Sequence, residues 1–299
     1  MGKHKFVHKD FKIESMRKIA TANEIITKYL RAGLRLTLRQ LYYQFVAHHD
    51  LPNTEKSYKN LGKLISDARL AGLIDWNAIE DRGRVPVRPN EWNSISDICN
   101  VVVDTFRLPR WAGQPNYVEL WVEKQALAGV LEPVAEEHHV TLMVNKGYSS
   151  QSAMFDAAVR FVRAYKSGGH EQGYVLYIGD HDPSGEDMVR DVNDRLYMFG
   201  TRELEVRKIA LTMAQVEEYD PPPNPAKLTD SRAAAYIDQH GDSSWEVDAL
   251  DPETLVRLIT DQFDELLDRD MMQEIIDRED SQKQRLQAVI DSGQLEGEE

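Results

Sequence analysis

The chain has a single cysteine, Cys99, among 299 residues. That excludes an internal disulfide framework and a cysteine-based zinc site, and it fits a reducing, cytoplasmic setting. No run of about 18 uncharged apolar residues occurs, so no membrane span is expected. Met1-Gly2-Lys3-His4-Lys5 is basic, but no apolar segment follows, so no secretory leader is expected either. No Gly-x4-Gly-Lys-Ser/Thr loop is found, and an ATP-driven step would need a separate ATPase subunit. Repeats and low-complexity tracts are missing apart from an acidic ending. What remains is 41% hydrophobic and 29% charged, enough to fill the core of two ordinary domains or one large one.

The net charge of −14 argues at first against a polyanionic partner. Its distribution argues the other way. Residues 1–90 hold 17 Lys/Arg against 9 Asp/Glu, and residues 91–299 hold 19 against 41. An N-terminal module suited to phosphates is joined to an acidic remainder, although a solvated surface alone would also produce such asymmetry.

Residues 14–33 carry apolar positions at helical spacing, closed by Gly33. Thr37-Leu38-Arg39-Gln40 reads as a capping box. It opens a helix with Leu38, Leu41, Tyr42, Phe45 and Val46 on one stripe. A third helix is expected from about Glu55 to Leu70. Arg82-Gly83-Arg84 and Val85-Pro86-Val87 then form a turn and ribbon. Three helices followed by a ribbon outline a winged helix, a helix-turn-helix variant that docks on duplex DNA. Lys56, Lys59 and Lys63 share the helix face opposite Leu61 and Ile65. With Arg82, Arg84 and Arg88 they are the candidate DNA-backbone contacts, against the plainer reading of solubilising lysines.

Residues 91–116 read as a connector with one apolar helix, Ile95 to Phe106. Strands are then expected at Tyr117–Val122, Val140–Val144, Tyr174–Ile178 and Glu205–Leu211, with helices between them. That alternation means a parallel sheet covered on both faces, whose ligands sit outside the carboxyl ends of the strands. Pro221-Pro222-Pro223-Asn224-Pro225 reads as a rigid connector. Two acidic helices are expected over 252–290.

Glu123 follows the first strand directly, and Asp180 and Asp182 follow the third, in Asp180-His181-Asp182-Pro183-Ser184-Gly185. Residues two apart on extended chain point the same way, so both aspartates can face one cation. Three convergent carboxylates repel one another unless a cation lies among them, and hard oxygen donors suit Mg²⁺ or Mn²⁺. The plainer reading is a turn with an N-capping acid. His48-His49 and His138-His139 are adjacent pairs, not i, i+4 pairs, and read as structural.

Glu123 with the later Asp-x-Asp-x-x-Gly resembles the Toprim domain of topoisomerases, primases and related nucleases. Glu123-Lys124, Asn145-Lys146-Gly147-Tyr148, Asp180-His181-Asp182-Pro183 and Glu246-Val247-Asp248-Ala249-Leu250 are similar to the branch containing the topoisomerase VI A subunit and the meiotic double-strand-break transesterase. Ser149-Ser150 stands where that family usually has Pro-Asp. The resemblance covers roughly residues 37–255. It implies an α/β chain with a winged-helix domain over 1–90, the connector, a Toprim-type parallel-sheet domain over 117–255 with flanking helices, and an acidic tail over 256–299.

The same resemblance implies a DNA-cleaving enzyme that uses Mg²⁺ on double-stranded DNA, with Glu123, Asp180 and Asp182 as metal ligands and Glu123 also catalytic. Lys124 and Lys146 join the expected DNA contacts. The family's Arg-Asp-Φ-Φ-Tyr motif falls on Arg39-Gln40-Leu41-Tyr42-Tyr43, Gln40 standing for the Asp. Tyr43 would then be the nucleophile, assisted by Arg39. At about 100° per residue, Tyr43 lies off the apolar stripe and beside Arg39, although aromatics on an amphipathic helix are usually core. In that family the tyrosine and the carboxylates come from opposite subunits, which implies a homodimer to which the acidic helices can contribute. Two rival readings keep less of this chemistry: a Toprim nuclease using metal-activated water, and a non-catalytic DNA-binding module.

Overall fold

The computed structural model describes residues 2–79, 89–145, 147, 149–226 and 232–292. Helices α1 (Ile13–Arg31), α2 (Leu38–Ala47) and α3 (Glu55–Leu70) form an N-terminal unit. The capping box at α2 is complete: Gln40 N–H donates to Thr37 Oγ1 at 3.3 Å, and Thr37 N–H donates to Gln40 Oε1 at 2.8 Å. Apolar stripes of the three helices, including Ile19, Ile26, Leu41, Phe45, Leu61 and Ile65, meet in one core. The expected ribbon of a winged helix falls mostly on residues 80–88, outside the described residues, as do Arg82, Arg84 and Arg88.

Helix α4 (Ile95–Thr105) follows, then the alternating series β1 (Asn116–Val122), α5 (Ala128–Glu137), β2 (Thr141–Val144), α6 (Gln151–Ser167), β3 (Gln172–Ile178), α7 (Pro183–Met198) and β4 (Leu204–Ala210). The four strands make one parallel sheet in the order β2-β1-β3-β4. Alternate residues of each strand face opposite layers. Val118, Leu120, Val122, Leu176 and Ile178 pack with Leu131 and Val134 of α5. Trp121, Val175 and Tyr177 pack with Met154 and Phe161 of α6 and with Met188 and Leu196 of α7. Burial on both faces explains why these strands read as nearly unbroken apolar runs.

After the sheet come α8 (Met213–Tyr219), β5 (Asn224–Pro225), α9 (Ala233–His240), β6 (Ser243–Ser244), α10 (Pro252–Leu266) and α11 (Arg269–Asp291). Leu255, Ile259 and Phe263 of α10 complete the layer begun by α5. The N-terminal unit is not a free bead: Val130 of α5 and Ala249 belong to its core. Among the described residues no helix is long and apolar enough to cross a membrane.

Candidate site at the carboxyl ends of the strands

The ends of β1 and β3 are neighbours in the sheet, and this brings Glu123 to Asp180. Glu123 N–H donates to Ile178 O at 2.9 Å, and Asp180 N–H donates to Glu123 Oε2 at 3.2 Å. Two glycines make the crowding possible. A Cβ on Gly179 would stand 2.9 Å from Glu123 Oε2, and one on Gly185 would stand 2.2 Å from the Asp180 carbonyl oxygen. No side chain larger than hydrogen fits at Gly185 without moving backbone.

The two aspartates are held by different partners. Asp182 is the N-cap of α7, its Oδ1 accepting from Gly185 N–H at 2.6 Å and from the Ser184 hydroxyl at 2.8 Å. Asp180 accepts from Val247 N–H at 2.9 Å and lies 2.8 Å from Lys124 Nζ. The plainer reading of Asp182 as a capping acid thus describes its observed bonds. Among the described residues no three of His, Cys, Asp and Glu gather closely enough to hold a metal ion as they stand.

Lys124 supplies the positive charge instead. Its ammonium lies among Asp180 (2.8 Å), Asp248 (3.0 Å) and Glu246 (3.1 Å). Burial works against its charge, but Asp248, Asp180 and Glu246 outweigh that and hold its pKa above the ordinary lysine range. Lys124 is therefore a partner of carboxylates inside the fold rather than a side chain reaching into solvent. Arg39 of α2 grips the same acids, with Nη2 at 2.6 Å from Glu246 Oε1 and Nε at 3.1 Å from Asp248 Oδ2.

Burial raises Asp180 and Asp248 to about 6 each, against the pull of Lys124. Glu123 is also raised, by burial first and then by the charge of Asp182. Burial opposes ionisation of Glu246 too, but Lys124 and Arg39 bring it below its ordinary value. Five acids at the strand ends, Glu123, Asp180, Asp182, Glu246 and Asp248, outnumber the three cations beside them, Arg39, Lys124 and Lys208.

Tyr43 stands beside Arg39 as expected, its ring centroid 6.0 Å from the guanidinium. It is not off the core, however. Tyr43 is 3% exposed and Tyr42 4%. Tyr42 is covered by Tyr58 and residues 52–54, to which its hydroxyl bonds. Burial, Glu246 and Asp248 push the Tyr43 phenol up to about 12, with Arg39 opposing.

Lys56, Lys59 and Lys63 are all exposed on the outer face of α3, opposite the buried Leu61 and Ile65. Lys59 pairs with Glu55 at 2.7 Å. They lie on a different element from the carboxylate cluster, and Lys146 lies outside the described residues. Of the two histidine pairs, His138 packs on Phe263, and His49 and His139 sit at positive φ just past helix ends.

Glu246, Asp248 and His181 stand in the sequence motifs without a role, and Lys208 and Tyr236 lie outside every motif. His181 is 2% exposed, with Nδ1 2.7 Å from the Tyr236 hydroxyl. Lys208 donates to the Asp180 carbonyl at 2.8 Å and to Glu186. Local signal existed only for the first pair, an acid-x-acid step beside apolar residues. No protein-family model matches the chain, and no curated protein matches it.

Proposed function

We propose that the chain cuts DNA strands at the carboxyl ends of its sheet, with Tyr43 as nucleophile and a divalent cation as cofactor. One observation carries this reading: Arg39 on the tyrosine helix holds Glu246 and Asp248, which hold Lys124, which holds Asp180 beside Glu123. A tyrosine, two cations and a surplus of carboxylates thus form one contiguous cluster.

The donor set suits Mg²⁺ or Mn²⁺ in chemistry, since it offers hard oxygens and leaves negative charge in excess. Glu123, Asp180 and Asp182 would hold the ion, Asp180 giving up Lys124 and Asp182 the start of α7 to do so. When bound, it supplies charge stabilisation for a phosphate. The chain's own residues do the rest. The α3 lysines hold the DNA backbone, and Arg39 offers a guanidinium to the scissile phosphate. The Tyr43 oxygen forms a bond to phosphorus as the bond to one strand oxygen breaks; the phenolic proton leaves and the departing oxygen takes one up. Transesterification of this kind conserves bond type and can run backwards.

The burial of Tyr43 favours a second reading, in which water is the nucleophile and Tyr43 only positions Arg39. Incubation with labelled supercoiled DNA and Mg²⁺ or Mn²⁺, quenched with detergent, separates the two. The proposal expects DNA joined to protein, lost in Tyr43→Phe. Nicking that survives Tyr43→Phe but not Asp180→Asn supports hydrolysis. Salt-sensitive binding with no cleavage under either ion overturns both and leaves a DNA-binding module.

A further inference from the structure

Glu123 and Lys124 are neighbours at the end of β1, yet their side chains serve different partners. Glu123 Oε2 accepts from the backbone N–H of Asp180 at 3.2 Å. The Lys124 ammonium instead lies 2.8 Å from Asp180 Oδ2, 3.0 Å from Asp248 Oδ1 and 3.1 Å from Glu246 Oε2. Three oxygens, one from each of three carboxylates, thus surround a single point, and a lysine nitrogen occupies it.

Such a point is a cation position by its donor chemistry. A hard divalent ion takes carboxylate oxygens from a protein and completes its shell with water. The ammonium brings one charge to three acids, and Arg39 brings a second to Glu246 and Asp248. Asp248 shows that this set is not saturated. It is 1% exposed, and its Oδ2, 3.1 Å from Arg39 Nε, accepts no hydrogen bond. A buried carboxylate oxygen without a hydrogen bond has capacity left for a cation.

Asp180 belongs to both groups, since its N–H meets Glu123 and its Oδ2 meets Lys124. An ion held by Glu123, Asp180 and Asp182 draws Asp180 from the lysine. Glu246 and Asp248 still keep the ammonium where it is. The lysine therefore stays beside the ion as a fixed charge that metal concentration does not alter.

We infer that the Lys124 ammonium fills a second cation position, formed by Asp180, Glu246 and Asp248, and so limits the strand ends to one divalent ion. The inference rests on the reading that Glu123, Asp180 and Asp182 hold one ion, and ion counting separates the two. The full chain is dialysed to equilibrium against about 0.1 mM Mn²⁺, where built oxygen-ligand sites fill. Unbound Mn²⁺ is read by electron paramagnetic resonance, and circular dichroism follows folding. Wild type is expected to bind one ion per chain and Lys124→Met two, with Lys124→Met/Asp248→Asn returning to one. A Lys124→Met chain that is unfolded alone and refolds with Mn²⁺ also supports the inference; one that stays unfolded with Mn²⁺ overturns it. Two ions on the wild type, or one on both wild type and Lys124→Met, overturns the inference and leaves the Glu123, Asp180 and Asp182 set standing. No ion on wild type and one on Lys124→Met keeps the lysine-filled position and overturns that set. No ion on either overturns both.

Discussion

Glu119 shows what a fully satisfied buried charge requires. It has no solvent exposure in the middle of β1 and accepts from the Tyr117 hydroxyl and Trp121 Nε1, each at 2.9 Å, and from Arg160 Nε and Nη2 at 2.7 and 2.8 Å. The paired guanidinium pins α6 to the sheet. Arg160→Met strands the carboxylate among neutral donors and is expected to cost about 3–5 kcal/mol in urea denaturation, with partial recovery when Glu119→Gln is added. Glu279 is a second buried acid with a different consequence. Burial works against its charge, but Lys283, Leu108 N–H and Arg110 outweigh this and bring it from 4.5 to about 2. A carboxyl depressed by folding stabilises the native state above its unfolded value. That contribution is expected to disappear as pH falls from about 4.5 to about 2. Thermal melts across this window should show a steeper acid-side decline for wild type than for Glu279→Gln.

At the scale of the element, α2 deserves its position through its first turn. Thr37→Ala removes the acceptor for Gln40 N–H and is expected to cost about 1 kcal/mol in chemical denaturation. Because α2 carries Arg39 and Tyr43, the same change should loosen the grip on Glu246 and Asp248. This cap was legible in the sequence because it is a four-residue pattern. Helices α1 to α3 and the strand–helix alternation were legible as well, because period and apolar run length are local properties. Helices α8 and α9 were not. They span seven and eight residues, too short for a periodic stripe, and α9 is anchored by Tyr236 reaching His181, a contact between residues 55 apart. The same limit applied at the site. Glu123 beside Asp180 followed from strand order, but the inward turn of Lys124 depends on Glu246 and Asp248, more than a hundred residues further on. Tyr43 lies off the helical stripe by angle and is still buried, because it joins a core that also holds Val130 and Ala249, residues far along the chain that the helix sequence alone does not reveal.

Over the whole molecule, charge is segregated between the N-terminal unit and the remainder, and salt can test what that does. On the proposed reading, the acidic sheet domain repels DNA and the duplex is oriented by the N-terminal unit, where Lys56, Lys59 and Lys63 are exposed on the face opposite Leu61 and Ile65. Each lysine in contact with a phosphate releases condensed counterions, and each lost contact lowers the slope of log K against log salt by about 0.9. If Lys59 and Lys63 both touch the backbone, Lys59→Glu with Lys63→Glu should weaken DNA binding at low salt and reduce that slope by about 2. Lys59 also pairs with Glu55, so its replacement by Glu sets two like charges one turn apart, and the stability of the variant has to be measured alongside. Fluorescence anisotropy across a salt series gives affinity and slope together. An unchanged slope would assign the lysines of α3 to solvation and move the DNA surface to another face of the N-terminal unit.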